Sequence, residues 1–342
     1  MAEAAATPVP QAPIVSAGGP LLAVEDLVVE FDQSEGRLVA NDHVSIAISR
    51  GETLGLVGES GSGKSILCRT ILRLVPSPPA RIAGGRVLFE GEDLLTVSDE
   101  RMRELRGTDI AMIFQNPMTS LNPVWPIGDQ VTEGLRIHRG IGERATREAG
   151  IALLQKVGIS SPELRIDEYP HQWSGGMLQR AVVAMAMACA PKLLLADEPT
   201  TALDVTIQDQ ILALLMELQR DTGMALVLVS HDLAVVAETS DRVVVMYAGR
   251  IVEVADTADL FGRPRHPYTL GLIASIPNVA ANAERLVPIS GQPPNLTRLP
   301  PGCAFAPRCP YASEECRRTN MTLREVAPRH FSACLFPERI AG

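Results

Sequence analysis

Apolar and polar positions along the chain predict an α/β fold. Short apolar runs alternate with longer stretches in which apolar residues recur every three or four positions. The runs are typical of strands buried in a sheet, and the recurring pattern is typical of helices with one apolar face. The runs that predict strands are 21–31, 44–48, 53–57, 86–89, 193–196, 225–229 and 242–246.

A long helical segment interrupts the predicted strands. From about residue 118 to residue 190 the strand-like runs stop, and the stretch 144–157 places Ala149, Leu153 and Val157 on one helical face. Further helices are expected at 64–74, 100–106 and 206–218, the last with a stripe of Ile207, Ile211, Leu214 and Leu218. We therefore predict a mostly parallel sheet split by a helical insertion, with a small antiparallel layer near the N-terminus.

Composition changes this picture at both ends of the chain. Residues 1–20 are rich in Ala and Pro, contain no Lys or Arg, and lack a long apolar core. We expect a disordered leader there and not a secretory signal. Beyond residue 265 the chain becomes Pro-rich and holds four of the six cysteines. The predicted parts are thus the leader 1–20, a main domain 21–265 with its helical subdomain at about 118–190, and a loop-dominated extension 266–342.

Length and charge narrow the classes of function. A chain of 342 residues with 46% apolar and 21% charged residues can bury a large core. Its formal net charge of -9 argues against a general nucleic-acid binder. No apolar run reaches the roughly 18 residues that span a bilayer. We expect a cytosolic protein whose membrane role would come through a partner.

A phosphate loop follows the strand predicted at 53–57. The pattern Gly-x-x-x-x-Gly-Lys-Ser/Thr is met by Gly58, Glu59, Ser60, Gly61, Ser62, Gly63, Lys64 and Ser65. Glycines let backbone N–H groups converge on the β- and γ-phosphates at the positive end of a helix. Lys64 adds a point charge, and the Ser65 hydroxyl is suited to bind Mg²⁺. This segment predicts a nucleotide site.

Polar residues that follow strands supply the rest of a hydrolytic site. Asp197 and Glu198 end an apolar run, at the sheet edge where ligands of α/β proteins bind. We expect Asp197 to hold Mg²⁺ and Glu198 to polarise the water that attacks the γ-phosphate. Gln115 follows another apolar run and would reach Mg²⁺ or the water, and His231 would hydrogen-bond the γ-phosphate.

A second predicted anion site begins at Ser174. Serine is a good N-cap, and Gly175 and Gly176 leave the start of the following helix bare for a phosphate. This segment is expected across the domain from its own phosphate loop, so one chain can hardly use both on one ATP. Two chains arranged head to tail can.

In this order, the motifs resemble the ATP-binding subunits of ABC transporters, from about residue 21 to residue 334. The resemblance implies a P-loop ABC nucleotide-binding domain with a RecA-like parallel-sheet core, an antiparallel β layer and a helical signature subdomain. It also implies that Phe31 stacks on adenine and that Asp204 belongs to the ATP site. The family's Leu-Ser-Gly-Gly-Gln signature departs here at Trp173 and Met177, while the serine and both glycines remain.

Longer stretches resemble the oligopeptide/dipeptide importer branch, specifically its D-type ATPase subunit. These stretches are 114–123, 169–177, 196–205, 266–269, 291–296 and 301–310. The resemblance implies an ATP-hydrolysing motor that uses Mg²⁺ at the cytoplasmic face of the inner membrane. It implies four kinds of partner: a paralogous ATPase subunit, two transmembrane permeases and an extracytoplasmic substrate-binding protein. The branch also includes importers of nickel chelates, glutathione and some sugars.

The cysteines of the extension suggest a metal site formed by Cys303, Cys309, Cys316 and Cys334. Disulfides are disfavoured in a cytosolic chain, and zinc sites usually have closer pairs. A [4Fe–4S] cluster ranks first, as the resemblance also implies, with Zn²⁺ second and free thiols third. Because no motif links this module to the nucleotide, we expect it to stabilise the complex and take no part in hydrolysis. Cys68 and Cys189 lie in apolar helical contexts and are expected in the core.

One alternative comes from another functional class. A soluble ABC-type ATPase could act on nucleic acid, ribosomes or iron–sulfur assembly. ABC-type ATPases of DNA repair carry a coiled coil or zinc-bearing insertion, which the segment 65–195 lacks. ABC-type ATPases of translation carry two cassettes per chain, whereas this chain has one set of motifs. Transport is therefore the favoured function.

Overall fold

A computed structural model describes residues 19–34, 36–201, 203–275 and 289–340, so nearly all of the predicted leader 1–20 lies outside the described residues. The strands are β1 (Leu22–Gln33), β2 (Gly36–Ile48), β3 (Thr53–Val57), β4 (Ala80–Phe89), β5 (Glu92–Asp93), β6 (Ile110–Ile113), β7 (Leu193–Asp197), β8 (Ala225–Ser230), β9 (Arg242–Tyr247), β10 (Arg250–Asp256), β11 (Arg324–Ala327) and β12 (His330–Ser332). The helices are α1 (Lys64–Ile71), α2 (Asp99–Leu105), α3 (Pro117–Ser120), α4 (Ile127–Val131), α5 (Glu133–Arg139), α6 (Glu143–Lys156), α7 (Pro162–Arg165), α8 (Gly175–Met187), α9 (Val205–Thr222), α10 (Leu233–Thr239), α11 (Thr257–Gly262), α12 (Pro267–Ala274) and α13 (Glu314–Arg318).

The described chain forms two compact units. The first comprises described residues of 1–49, 54–95 and 230–342, and the second comprises those of 50–53 and 96–229. The predicted boundary at residue 265 lies inside the first unit, and the three-part division stays a prediction. Among the described residues, no helix is both long enough and apolar enough to cross a membrane.

The first unit holds an antiparallel sheet and a mixed sheet. The antiparallel sheet has the order β2-β1-β4-β5, with Leu22 opposite Ile48, which confirms the predicted small antiparallel layer. In the mixed sheet, the strands of this unit have the order β11-β12-β10-β9-β3. β3 and β9 run parallel, with Val57 opposite Val245, and the other neighbours are antiparallel.

The second unit contains parallel strands and the predicted helical segment. Its strands have the order β8-β7-β6, and every residue of β7 is buried, as expected where helices cover both faces of a parallel sheet. Helices α3 to α8 confirm the helical insertion.

The buried face of α6 differs from the prediction. Val157, just after the helix, is buried as predicted. Thr146, Gly150 and Leu154 are buried, whereas Ala149 and Leu153 are only half-buried. Close packing at Gly150 explains this, because a Cβ there would lie 2.8 Å from the Thr132 side chain. The helix therefore turns Gly150 towards its neighbours, and the buried positions 150 and 154 lie one residue after the predicted positions 149 and 153.

The C-terminal extension is less dominated by loops than the sequence suggested. It contains α12, α13 and the β11–β12 hairpin, and β12 extends the sheet by pairing with β10. Phe305 is 2% exposed and joins Tyr247 and Tyr268 in the core of the first unit. Such short elements escaped prediction because they are too brief to show a period.

Candidate functional site

The phosphate loop joins β3 to α1 in the first unit, and its shape demands glycine at two positions. Gly58 has φ +149° and Gly63 has φ +103°. A Cβ at Gly58 would lie 2.2 Å from the Met246 carbonyl oxygen, and one at Gly63 would lie 2.4 Å from that of Ala40. Any side chain at either position would force the loop away from these strands, so the glycines fix the loop's path.

The loop places a buried cation beside a bare helix end. Lys64 is 5% exposed, and its Nζ donates to the carbonyl oxygens of Gly58 at 2.7 Å and Glu59 at 3.0 Å. The N-cap of α1 is Gly63, which has no capping side chain, and the first turn contains no acidic residue. The positive end of the helix dipole is therefore uncompensated by side chains, and Ser65 lies in its first turn. This arrangement suits a polyphosphate.

Residues outside the predicted loop hold Glu59. The guanidinium of Arg308 donates to both carboxylate oxygens of Glu59, at 2.7 and 2.9 Å. The Tyr268 hydroxyl accepts the Glu59 backbone N–H at 2.7 Å. No local sequence pattern indicates either contact, since the partners are more than two hundred positions apart. The extension therefore contacts the phosphate loop although no sequence motif links the two. That the extension takes no part in hydrolysis stays a prediction.

The acidic pair and Gln115 meet in the second unit. Asp197 is 1% exposed at the end of β7, and Glu198 follows with φ +49°, a left-handed conformation. Gln115 Nε2 donates to Glu198 Oε2 at 2.8 Å, so these two candidate residues are in contact. Thr201 Oγ1 also donates to that oxygen, at 2.9 Å, and sequence analysis missed this residue. The Glu198 carboxylate is thus oriented by two side-chain donors.

The start of α8 has the geometry expected of an anion site. Ser174 is the N-cap, and its Oγ accepts the Met177 backbone N–H at 3.4 Å. Ser174 and Gly175 are exposed, and the first turn carries no acidic residue. Trp173, one of the departures from the signature, is buried and donates its indole N–H to Glu168 at 2.7 Å. Trp173 is therefore anchored by burial and by this hydrogen bond, while Ser174 and Gly175 at the helix start stay exposed.

Three further candidates lie at a helix start, in a loop and on a strand. Asp204 is the N-cap of α9, and its carboxylate accepts the Ile207 backbone N–H at 3.1 Å. His231 is exposed between β8 and α10. Phe31 is half-buried on β1. Phe31, His231 and the phosphate loop belong to the first unit, whereas Asp204 belongs to the second.

The four cysteines of the extension line one cavity, together with apolar and aromatic side chains that include Phe305. Burial raises the pKa of the Cys303 and Cys309 thiols, and it raises that of Cys334 to about 11. Within the described ranges, no group of three or more His, Cys, Asp or Glu side chains has an arrangement that could hold a metal ion. The cavity thus gathers the right kind of donor without showing metal-ligand geometry. Cys68 and Cys189 are buried, as predicted for core residues.

A histidine beside this cavity orients α12. His266 is buried, and its Nδ1 accepts the Tyr268 backbone N–H at 3.1 Å. Burial lowers the pKa of His266 to about 3, so its ring stays neutral and able to accept. This cap fixes the start of the helix that presents Tyr268 to Glu59.

Comparison with known proteins identifies the family. Residues 41–201 match the model of the ABC transporter family, and residues 252–316 match that of the oligopeptide/dipeptide transporter C-terminal region. The dipeptide transport ATP-binding protein DppD of Escherichia coli (strain K12) is 47% identical over 322 residues, which cover 94% of this chain and 98% of DppD. The chain belongs to the ATP-binding subunits of ABC transporters.

Other relatives and solved structures agree with this assignment. A putative peptide import ATP-binding protein of Brucella abortus (strain 2308) is 48% identical over 334 residues, 94% of this chain and 99% of the relative. The dimeric ATP-binding cassette MJ0796, solved bound to ADP and Pi, is 26% identical with a TM-score of 0.62, and the match covers 69% of this chain and 98% of that chain. CbiO1 from Clostridium perfringens, part of the transporter complex cbiONQ, is 28% identical with a TM-score of 0.60, covering 71% and 91%.

These matches confirm the predicted ABC cassette fold and the resemblance to the peptide-importer branch. The ABC ATP-binding subunit is an ATPase that uses ATP and Mg²⁺. The matched transporter C-terminal region favours transport over a soluble ATPase acting on nucleic acid or ribosomes.

Proposed function

We propose that this ABC ATP-binding subunit is one of two ATPase subunits of an importer for oligopeptides or dipeptides. Its closing on ATP and subsequent hydrolysis would drive the membrane partners between their conformations. The observation that carries the proposal is the match of residues 252–316 to the oligopeptide/dipeptide transporter C-terminal region, within a chain that matches DppD over 94% of its length. Nickel chelates, glutathione and sugars are the alternative cargoes.

The phosphate loop binds the triphosphate in this proposal, and the second unit supplies the hydrolytic groups. Backbone N–H groups at the start of α1 and the Lys64 ammonium hold the β- and γ-phosphates. Ser65, Gln115 and Asp197 would hold Mg²⁺, which would offset the charge of the phosphates. Glu198 accepts the proton of the attacking water, and its orientation by Gln115 and Thr201 supports that role.

A paralogous ATPase subunit completes the active state. The open start of α8 at Ser174, Gly175 and Gly176 would bind the γ-phosphate of the ATP held by that partner. Phe31 would stack on adenine, and His231 and Asp204 would complete the two shared sites. The dimeric form of the related cassette MJ0796 supports such pairing.

An exposed apolar surface supports contact with a permease. In the segment after Gln115, Met118 is 64% exposed, Val124 is 72% exposed and Trp125 is 47% exposed. Large exposed apolar patches on a protein surface often mark sites of contact with other proteins. Two permeases would hold the ATPase pair at the cytoplasmic face of the inner membrane, and an extracytoplasmic binding protein would deliver the cargo. Nucleic acid has no part in this assembly.

The four cysteines form a [4Fe–4S] site in this proposal, with Zn²⁺ as the second choice. All four line one cavity with apolar walls, which suits a cluster shielded from water. The cluster would hold together the short elements of the extension, which bury little surface of their own. Metal analysis of anaerobically purified protein distinguishes iron from zinc, and protein with neither would exclude the site.

The importer proposal is tested by isolating the assembly from detergent-solubilised membranes and identifying every subunit by mass. We expect a second ATPase subunit and two permeases, and ATPase activity stimulated by a loaded peptide-binding protein. Recovery with ribosomes or DNA, in the absence of permeases, would support the soluble alternative instead.

A further inference from the structure

Arg308 connects the cysteine-rich extension to the phosphate loop. Its guanidinium forms a two-point ion pair with Glu59, with N–O distances of 2.7 and 2.9 Å, and its side chain is only 4% exposed. Parallel hydrogen bonds from guanidinium to carboxylate fix orientation as well as distance. This pair is therefore a rigid link.

All three nitrogens of the Arg308 guanidinium donate to acceptors other than Glu59. Nε donates to the Ser290 carbonyl oxygen at 3.0 Å, and the terminal nitrogens also reach the Tyr247 hydroxyl at 3.3 Å and the Ile289 carbonyl oxygen at 3.4 Å. These contacts hold Arg308 in one orientation. They also lower the cost of burying its charge.

The ion pair acts on the part of the loop that places Lys64. Glu59 is held at its carboxylate by Arg308 and at its backbone N–H by Tyr268. Its own carbonyl oxygen, and that of the neighbouring Gly58, accept from Lys64 Nζ. Displacement of Glu59 would therefore shift the acceptors that position the phosphate-binding ammonium.

Charge adds a second reason for the contact. An unpaired Glu59 carboxylate in a loop that receives a triphosphate would repel it, and Coulomb interactions at short range are large where water is excluded. Arg308 neutralises that carboxylate. The loop can then keep an acidic residue without losing affinity for ATP.

The turn that carries Arg308 is closed by two of the cysteines. Ala306 N–H donates to the Cys303 carbonyl oxygen at 3.0 Å, and Cys309 N–H donates to the Ala306 carbonyl oxygen at 3.3 Å. We propose that Arg308 is a positioning residue for ATP, through which the order of the four-cysteine segment sets the affinity of the phosphate loop. This inference rests on the proposed function of the loop as an ATP site.

The test compares ATP affinity of the full-length chain with its melting temperature across matched variants. Arg308→Ala should weaken ATP binding about tenfold or more, because it leaves the Glu59 charge unpaired beside the phosphates. Arg308→Lys keeps the charge and loses the second hydrogen bond, so it should weaken binding less. The double variant Glu59→Gln with Arg308→Gln should recover most of the affinity, because no charge is left unpaired.

Arg329→Ala is the control. Arg329 also belongs to the extension, and it makes a more exposed two-point pair with Asp256, at 2.8 and 2.8 Å, on β10 instead of the loop. Its loss should leave ATP affinity unchanged, even where the melting temperature falls. If the affinity loss only tracked thermal stability across the set, Arg308 would be structural and the inference wrong.

Two outcomes separate this inference from the function on which it rests. Wild-type affinity in Arg308→Ala, or a double variant as weak as Arg308→Ala, overturns the positioning role alone. If Arg308→Ala does not fold, Arg308→Gln alone takes its place, and it should bind ATP more weakly than the double variant; equal affinities of the two would overturn the positioning role. Failure of the wild-type chain to bind ATP would overturn the proposed function itself.

Discussion

Glu198 is constrained at both its backbone and its side chain. Its backbone is left-handed at φ +49°, its N–H donates to Val229 at 3.1 Å, and its carboxylate receives Gln115 and Thr201. A left-handed backbone at a residue with a side chain costs about 1–3 kcal/mol and tends to occur at functional sites. This backbone conformation places Glu198 Oε2 within hydrogen-bond distance of Gln115 and Thr201.

Glu198→Gln should keep ATP binding and lower hydrolysis about 10²–10⁴-fold, because the amide cannot accept the proton of the attacking water. Turnover is measured in the assembled complex with the partner's site silenced. Lys64→Ala is the contrasting variant, since it should weaken nucleotide binding itself. Hydrolysis by Glu198→Gln at the wild-type rate would show that another group is the base.

Thr201→Val should lower the turnover rate about threefold to tenfold while leaving ATP affinity intact, because it removes one neutral hydrogen bond to Glu198, with a net value of about 1 kcal/mol. Thr200→Val at the adjacent position is the control, as no side-chain bond to Glu198 is made there. Equal rates for the two variants would contradict the role of Thr201.

The signature helix α8 is the element whose role depends on a second chain. Ser174→Arg would place a bulky cation at an open helix start, so ATP-driven pairing should fail while the isolated chain keeps its ATP affinity. Nucleotide binding and ATP-dependent association, measured separately, check this. Loss of ATP binding by the isolated chain would assign Ser174 to its own site.

Elements with a clear period or a continuous apolar run were predictable from the sequence. β7 and the helical insertion agree with prediction, whereas the face of α6 was displaced by the packing of Gly150, which no apolar count reveals. The strand β10 and the β11–β12 hairpin were missed. The hairpin is short, and β10 has a register irregularity between Ile251 and Glu253 that blurs the alternation.

The site was predictable as far as local motifs extend. The phosphate loop and the acidic pair are contiguous patterns, so their residue types alone indicated their chemistry. Thr201 and Arg308 make contacts that depend on how distant segments fold together. A single sequence carries no local pattern for such pairs.

At the scale of the whole molecule, the extension contributes to the core of the first unit and contacts the phosphate loop. Replacing Cys303 and Cys309 by Ser should abolish bound iron with its absorbance near 400 nm and lower the yield of assembled complex. Because the turn between them carries Arg308, we also expect weaker ATP binding, with little further loss when Arg308→Ala is added. Wild-type protein that contains zinc and no iron would show that the metal is zinc and not an iron–sulfur cluster. Unchanged ATP affinity in the Cys303 and Cys309 double variant would show that the cysteine segment does not affect the phosphate loop.

We propose that ATP hydrolysis at Glu198 powers peptide import. The most direct test is uptake of a labelled dipeptide into proteoliposomes that contain the purified complex, its binding protein and ATP. We expect ATP-dependent uptake by the wild type and uptake near background with Glu198→Gln, although that variant still binds ATP. Uptake by the variant at the wild-type rate would contradict the claim, as would ATP hydrolysis by the wild-type complex with no peptide transported.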